Sequence, residues 1–144
     1  MLIAIDFDGT IVEHRYPQIG KERPFATETI RRLIADRHRI ILWTLRKGRL
    51  LDEAVEWCRE RGIEFYAINS SYPGEEIDGD TCRKIKYDIV IDDRNIGGLP
   101  DWGDIYNMIQ RRITYQQYLI ENITGTMLQK STKRRWWQLS DKKE

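Results

Sequence analysis

The sequence predicts a doubly wound α/β domain, a three-layer α/β/α sandwich around a mostly parallel sheet. Three observations carry this reading. Four short segments rich in Ile, Leu, Val and aromatic residues alternate with segments of helical periodicity. Three of those four are nearly continuous apolar runs, which suits strands covered on both faces. The order strand, helix, strand, helix, strand is that of parallel strands joined by right-handed crossovers.

The elements follow in order. Leu2–Ile5 reads as the first strand. Ala26, Thr29, Ile30, Leu33 and Ile34 form one helical stripe, preceded by Pro24 near the helix start. Ile40–Leu45 is the second strand. Leu51, Ala54, Val55 and Cys58 form the next stripe, closed by Gly62 at the position of a helix stop. Ile63–Ile68 and Ile89–Ile91 are the third and fourth strands. A third helix runs from Asp104 through Ile105, Met108 and Ile109 to Arg112, and a fourth begins over Tyr115–Ile120. The first strand is expected at the centre of the sheet. No internal repeat or low-complexity linker interrupts this order.

Composition bounds the function. The 144 residues suit one domain with one real core. Apolar residues make up 40% and charged residues 33%, an ordinary globular balance. With 24 Lys+Arg against 23 Asp+Glu the net charge is +1, which argues against a strongly basic nucleic-acid coat protein. No window approaches the ~18 apolar residues of a membrane span. The first six residues carry no basic leader and meet an acid early, so no secretory signal is expected. Cys58 and Cys82 form no CxxC pair, and the expected location is a reducing cytoplasm. Charge is uneven along the chain. Residues 130–144 hold six Lys/Arg, two acids and the pair Trp136-Trp137, leaving residues 1–129 mildly acidic. Residues 1–129 are therefore read as the catalytic domain and 130–144 as a basic tail.

The chemistry concentrates in acids at strand ends. Asp6-Phe7-Asp8-Gly9-Thr10 follows the first strand directly. Residues two apart in an extended segment point the same way, so Asp6 and Asp8 aim at one region while Phe7 turns into the core. Gly9 allows a sharp turn and close approach of a ligand. Asp92-Asp93 ends the fourth strand. If the first and fourth strands are neighbours, four carboxylates converge at the carboxyl ends of the strands, where open α/β sheets bind ligands. Such a cluster needs a cation to stay ionised, and oxygen ligands beside a phosphate suit Mg²⁺. Thr44, at the end of the second strand, can donate to a phosphate oxygen. Lys84 or Lys86 can bring positive charge to the same rim.

Asp-x-Asp-Gly-Thr, an apolar strand ending in Thr, a lysine, and Asp-Asp in this order resemble the haloacid dehalogenase superfamily over residues 1–112. Glu13-His14-Arg15-Tyr16-Pro17 and Gly97-Gly98-Leu99-Pro100-Asp101-Trp102-Gly103 are similar to small bacterial members. The resemblance implies a Rossmann-like hydrolase in which Asp6 is the nucleophile and forms an aspartyl-phosphate. Asp8 would protonate the leaving oxygen and then activate water. Mg²⁺ would be held by the Asp6 carboxylate, the Asp8 main-chain carbonyl and an acid of the Asp92–Asp93 pair, with Asp93 preferred as the direct ligand. Gly9, Thr44 and a lysine, preferably Lys84, would receive the phosphate. The second acid, Asp8, favours phosphate-ester hydrolysis within the superfamily.

Of the two positions where such proteins insert a cap, the first holds only about fifteen residues, and the second, residues 45–83, is already filled by a helix, a strand and one loop. A capless chain is therefore expected, with selectivity falling to the loops Glu13–Gly20 and Asn69–Asp80, or to a neighbouring subunit. Two other functions fit the same residues: a 3′- or 5′-end phosphatase on nucleotides or nucleic acid, and a non-catalytic module that binds a phosphate or phosphoprotein. The basic tail is read as a terminus docked on the domain rather than a nucleic-acid contact. His14 and His38 read as surface and turn residues, and Arg46 as a surface arginine opening a helix in preference to an aid to phosphate binding. Trp43, Trp57 and Trp102 read as packing residues, and Cys58 as an inert thiol on an apolar stripe.

Overall fold

The structure, a computed structural model, describes residues 1–76, 78, 79 and 82–125; the basic tail lies outside them. It divides into two compact units, Met1–Asp104 and Ile105–Glu144. The first holds a four-stranded, fully parallel sheet of strands β1 (Leu2–Ile5), β2 (Arg39–Leu42), β3 (Ala67–Ile68) and β4 (Ile89–Ile91), in the order β3-β2-β1-β4. The expected inner position of the first strand is observed. Helix α1 (Ala26–Ala35) connects β1 to β2, and α2 (Arg49–Arg59) connects β2 to β3.

Register explains why both faces of the sheet are apolar. Ile3 pairs with Ile40 and Ile5 with Leu42, while Ala4 pairs with Ile41. Alternation along a strand sends the first set to one face and the second to the other. All six side chains are buried. Ala4 and Ile41 pack with Ala67 and Ile85, edged by Leu2, Trp43, Tyr66, Tyr87 and Val90. Phe7 continues the alternation of Ile3 and Ile5 and meets the Trp57 ring of α2 edge-on, with centroids 5.7 Å apart.

Two strands are shorter than their apolar runs. The second stops at Leu42, because the Thr44 N–H donates to the Asn69 side-chain Oδ1 at 2.8 Å and so leaves the ladder. The third begins at Ala67, because the Ile63 N–H is spent on the Cys58 carbonyl at the end of α2. Gly62 supplies the positive φ of 74° that this helix stop requires. Ile63 is nonetheless buried, which accounts for its apolar character without a strand.

Between β1 and α1 the chain forms a hairpin. Val12 bridges to Asp8 on one side and to Glu22 on the other. The Glu13 N–H donates to Lys21 O at 2.7 Å, and the Arg23 N–H to Ile11 O at 2.9 Å. The tip is residues 13–20, the first of the two expected selectivity loops. Glu22 then takes the place of an N-cap side chain for α1, accepting from the Thr27 N–H at 3.2 Å and from the Thr27 hydroxyl.

Helix α3 (Trp102–Arg111) spans the division between the units. In the second unit Ile105, Met108 and Ile109 are buried, and residues 115–125 are helical. That last helix opens on a reciprocal cap: the Gln117 N–H donates to Thr114 Oγ1 at 3.2 Å, and the Thr114 N–H to Gln117 Oε1 at 2.8 Å. Among the described residues no helix is long and apolar enough to cross a membrane.

The hairpin depends on Gly20, where a Cβ would run into the Glu13 carbonyl oxygen. Gly20→Ala is expected to cost about 1–3 kcal/mol, the range for overpacking a closed site. Urea denaturation against wild type checks this.

Candidate functional site

The pairing of β1 with β4 builds the site. Ile5 lies opposite Ile91, and the Asp6 N–H donates to the Ile91 carbonyl at 3.0 Å. The next residues on the two strands, Asp6 and Asp92, are thus brought side by side, with Asp93 following. Carboxylate oxygens of Asp6, Asp92 and Asp93 all lie within 4.8 Å of one another, a set that could hold a metal ion. The Asp8 carboxylate is not part of this set.

Thr10 joins the two strand ends. Its hydroxyl accepts from the Asp93 N–H at 3.0 Å and faces Asp6 Oδ2 and Asp93 Oδ1, each 3.3 Å away, as acceptors for its own proton. Its carbonyl accepts from Trp102 Nε1 at 3.2 Å. Gly9 turns beneath Asp93 with φ 92°, and a Cβ there would sit 2.5 Å from Asp93 Oδ2. Only glycine both adopts this conformation and leaves room for the acid.

Asp6 and Asp92 open onto a cavity of about 540 Å³, whose walls also include Asp8, Thr44, Arg46 and Arg94. His14 and Tyr16 from the hairpin, with Trp43 and Leu45, complete them. The Thr44 hydroxyl accepts from the Arg46 N–H at 3.2 Å, which leaves its own proton to donate toward the cavity. Asp92 borders the cavity, whereas Asp93 backs onto Gly9 and Thr10.

Asp6, Asp8, Gly9, Thr44, Asp92 and Asp93 are therefore gathered in one place. Lys84 and Lys86 are exposed and are not among the cavity walls. They lie on the connection between β3 and β4, where Lys86 N–H bonds Ser71 Oγ at 3.1 Å.

The expectation for Arg46 is overturned. It is fully buried, not a surface residue, and pairs with Asp8 at 2.7 Å. Nothing in the local pattern Thr44-Leu45-Arg46-Lys47 separates it from a solvated cation; its burial follows from the hairpin folding over it. His14, expected at the surface, is exposed and also lines the cavity. Trp43 packs beside Ile41 and also forms cavity wall. Cys58 is buried, and desolvation pushes its thiol up to about 12, in keeping with an inert side chain.

Burial pushes the Asp6 carboxyl up from 3.8 to about 6, opposed by the Phe7 N–H and aided by the charges of Asp92, Asp93 and Asp8. Crowded acids of this kind resist ionising together.

No family model and no curated protein matches the chain. Among solved structures it is similar to a conserved protein from Bacteroides thetaiotaomicron, 60% identical with a TM-score of 0.76, over 81% of this chain and 94% of that one. At that identity and coverage the two belong to one family of conserved proteins.

The raised Asp6 carboxyl has a defined effect on stability. The native state holds this proton more tightly than the unfolded chain, so ionising it costs stability as pH rises from about 4 through about 6. In chelator, Asp6→Asn is expected to be more stable than wild type at pH 7.5, by about 1 kcal/mol for a partly solvated group. The difference should vanish near pH 4. Denaturation curves at the two pH values check both statements.

Proposed function

We propose that this protein is a Mg²⁺-dependent phosphomonoester hydrolase of the haloacid dehalogenase superfamily, working through an aspartyl-phosphate. The observation that supports it most is the meeting of Asp6, Asp92 and Asp93 within 4.8 Å, two of them, Asp6 and Asp92, lining a cavity that Thr44 also lines. A lone acid cluster is common on protein surfaces. This one ends two adjacent parallel strands and has a nucleophile, a second acid and a hydroxyl donor on one concave wall. The reading carries with it a three-layer, capless α/β/α arrangement and a cytoplasmic setting.

The chain's own groups suffice to assign roles. An Asp6 oxygen attacks phosphorus as the ester P–O bond breaks, and Asp8 gives its proton to the departing oxygen. Asp8, now a carboxylate, takes a proton from water as that water attacks the phosphorus of the acyl phosphate. Inorganic phosphate leaves and the Asp6 carboxylate is restored. Thr44 donates to a phosphate oxygen, and Arg94 brings positive charge to the same wall. Lys84 remains the proposed phosphate lysine, although it is exposed and outside the cavity walls.

The Asp6 carboxylate, the Asp8 main-chain carbonyl and an acid of the Asp92–Asp93 pair would hold the metal ion. Their hard oxygen donors and crowded charge fit Mg²⁺, which when bound supplies charge neutralisation for nucleophile and phosphoryl group together. The substrate is a phosphate monoester reached without a cap, with the 13–20 hairpin at its entrance.

Asp6→Asn should lower kcat for p-nitrophenyl phosphate by at least about 10³-fold with unchanged circular dichroism, as expected for loss of a nucleophile. Chelation should abolish wild-type turnover, and Mg²⁺ should restore it. Turnover retained by Asp6→Asn refutes the assignment, and phosphate binding without any wild-type turnover indicates a binding module instead.

A further inference from the structure

Among the described residues, Arg46 is the largest fully buried side chain. Burying an isolated guanidinium is costly, so its partners account for its presence. Nε donates to Asp8 Oδ2 and Nη2 to Asp8 Oδ1, both at 2.7 Å. Nη1 donates to the Pro17 carbonyl at 3.0 Å and Nη2 to the Gln18 carbonyl at 2.9 Å. The rings of Phe7 and Tyr16 lie 5.1 and 5.4 Å from its central carbon. One cation thus joins the acid that follows β1 to three residues of the hairpin tip.

The pattern is more selective than a buried ion pair requires. Of the four acids at the site, Asp8 alone is kept out of the Asp6–Asp92–Asp93 set, and it is the one that Arg46 holds. A guanidinium is donor-only, and it meets a carboxylate oxygen with each of two parallel N–H groups. In that geometry both Asp8 oxygens act as acceptors. A carboxyl carrying a proton has to release one of the two bonds and turn its O–H elsewhere, while the other bond and the two hairpin carbonyls keep Arg46 in place.

We propose that Arg46 is the positioning residue for Asp8, aiming its proton at the leaving oxygen and receiving the carboxylate that remains. The proposal rests on the phosphatase reading above. As the ester P–O bond breaks, the proton passes from Asp8 to the leaving oxygen, and both Asp8 oxygens become acceptors for Nε–H and Nη2–H. When water later attacks the acyl phosphate, Asp8 takes up a proton and gives back one of the two bonds. Interaction with Arg46 therefore strengthens as charge develops on Asp8, the condition under which a fixed dipole or charge assists a reaction. Because the same guanidinium is bound by Pro17 and Gln18, the aim of the acid is set by the hairpin.

The test separates positioning of an acid from general support of the fold. kcat/KM reports phosphoryl transfer to Asp6 and is compared for two substrates. An alkyl phosphate needs its leaving oxygen protonated, whereas 2,4-dinitrophenyl phosphate does not. Arg46→Met should lower kcat/KM about 100-fold on the alkyl ester, the usual contribution of a general acid, and less than about 3-fold on the dinitrophenyl ester. Arg46→Lys keeps the charge but not the two-pronged contact, and should lose about tenfold on the alkyl ester alone. It carries the test if Arg46→Met does not fold. Equal losses on both esters, or no loss on either, overturn the proposal while leaving the phosphatase reading intact. Absence of wild-type turnover on both esters, or its survival in Asp6→Asn, overturns that reading and the proposal with it.

Discussion

The parallel pairing of β1 with β4 is the constraint on which the site depends. It places Ile5 opposite Ile91 and carries the chain onward so that Asp6 and Asp92 leave the sheet side by side. Nothing in the chemistry of three carboxylates favours their company. They are held together by buried apolar strands and by hydrogen bonds from the backbone and Thr10; burial first, and the neighbouring charges after it, push the Asp6 carboxyl up to about 6. Repulsion concentrated at the carboxyl ends of the strands is the feature on which the proposed divalent-cation site rests.

The fourth acid is treated differently. Asp8 faces a buried arginine, so its charge is balanced within the protein and does not depend on a ligand. The separation of the two acids of the Asp6-Phe7-Asp8 segment follows from local geometry. Phe7 turns into the core against Trp57, Gly9 folds under Asp93, and the hairpin that begins at Ile11 returns Pro17 and Gln18 over Arg46. Two carboxyls two residues apart thus meet different surroundings, as the proposed roles of nucleophile and acid require.

Much of this was legible in the sequence. The continuous runs Leu2–Ile5 and Ile89–Ile91 mark buried strands, and the acids following them mark the candidate site, because period and position need no knowledge of tertiary contacts. The outer strand was harder to bound. Ile63 is apolar because it is buried beneath a helix end, and apolar character alone does not distinguish that from a strand. Thr44 lies beyond β2 rather than ending it, because Asn69, twenty-five residues away, takes its N–H. Arg46 was missed for the same reason: its partners Asp8, Pro17 and Gln18 are remote in sequence, and a charged residue before a helix looks solvated. Thr10 was visible only as part of a motif, and its bonds to Asp6 and Asp93 emerge once the strands are paired.

The central claim is that the three-acid cluster exists to hold a divalent ion with a phosphoryl group. Calorimetric titration of the metal-free protein with Mg²⁺ at pH 7.5, with and without inorganic phosphate, tests it most directly. The account predicts one saturable site per chain, tightened by phosphate and absent when Asp92 and Asp93 are both changed to Asn. Heats no larger than dilution, or binding that survives the double replacement, would contradict it.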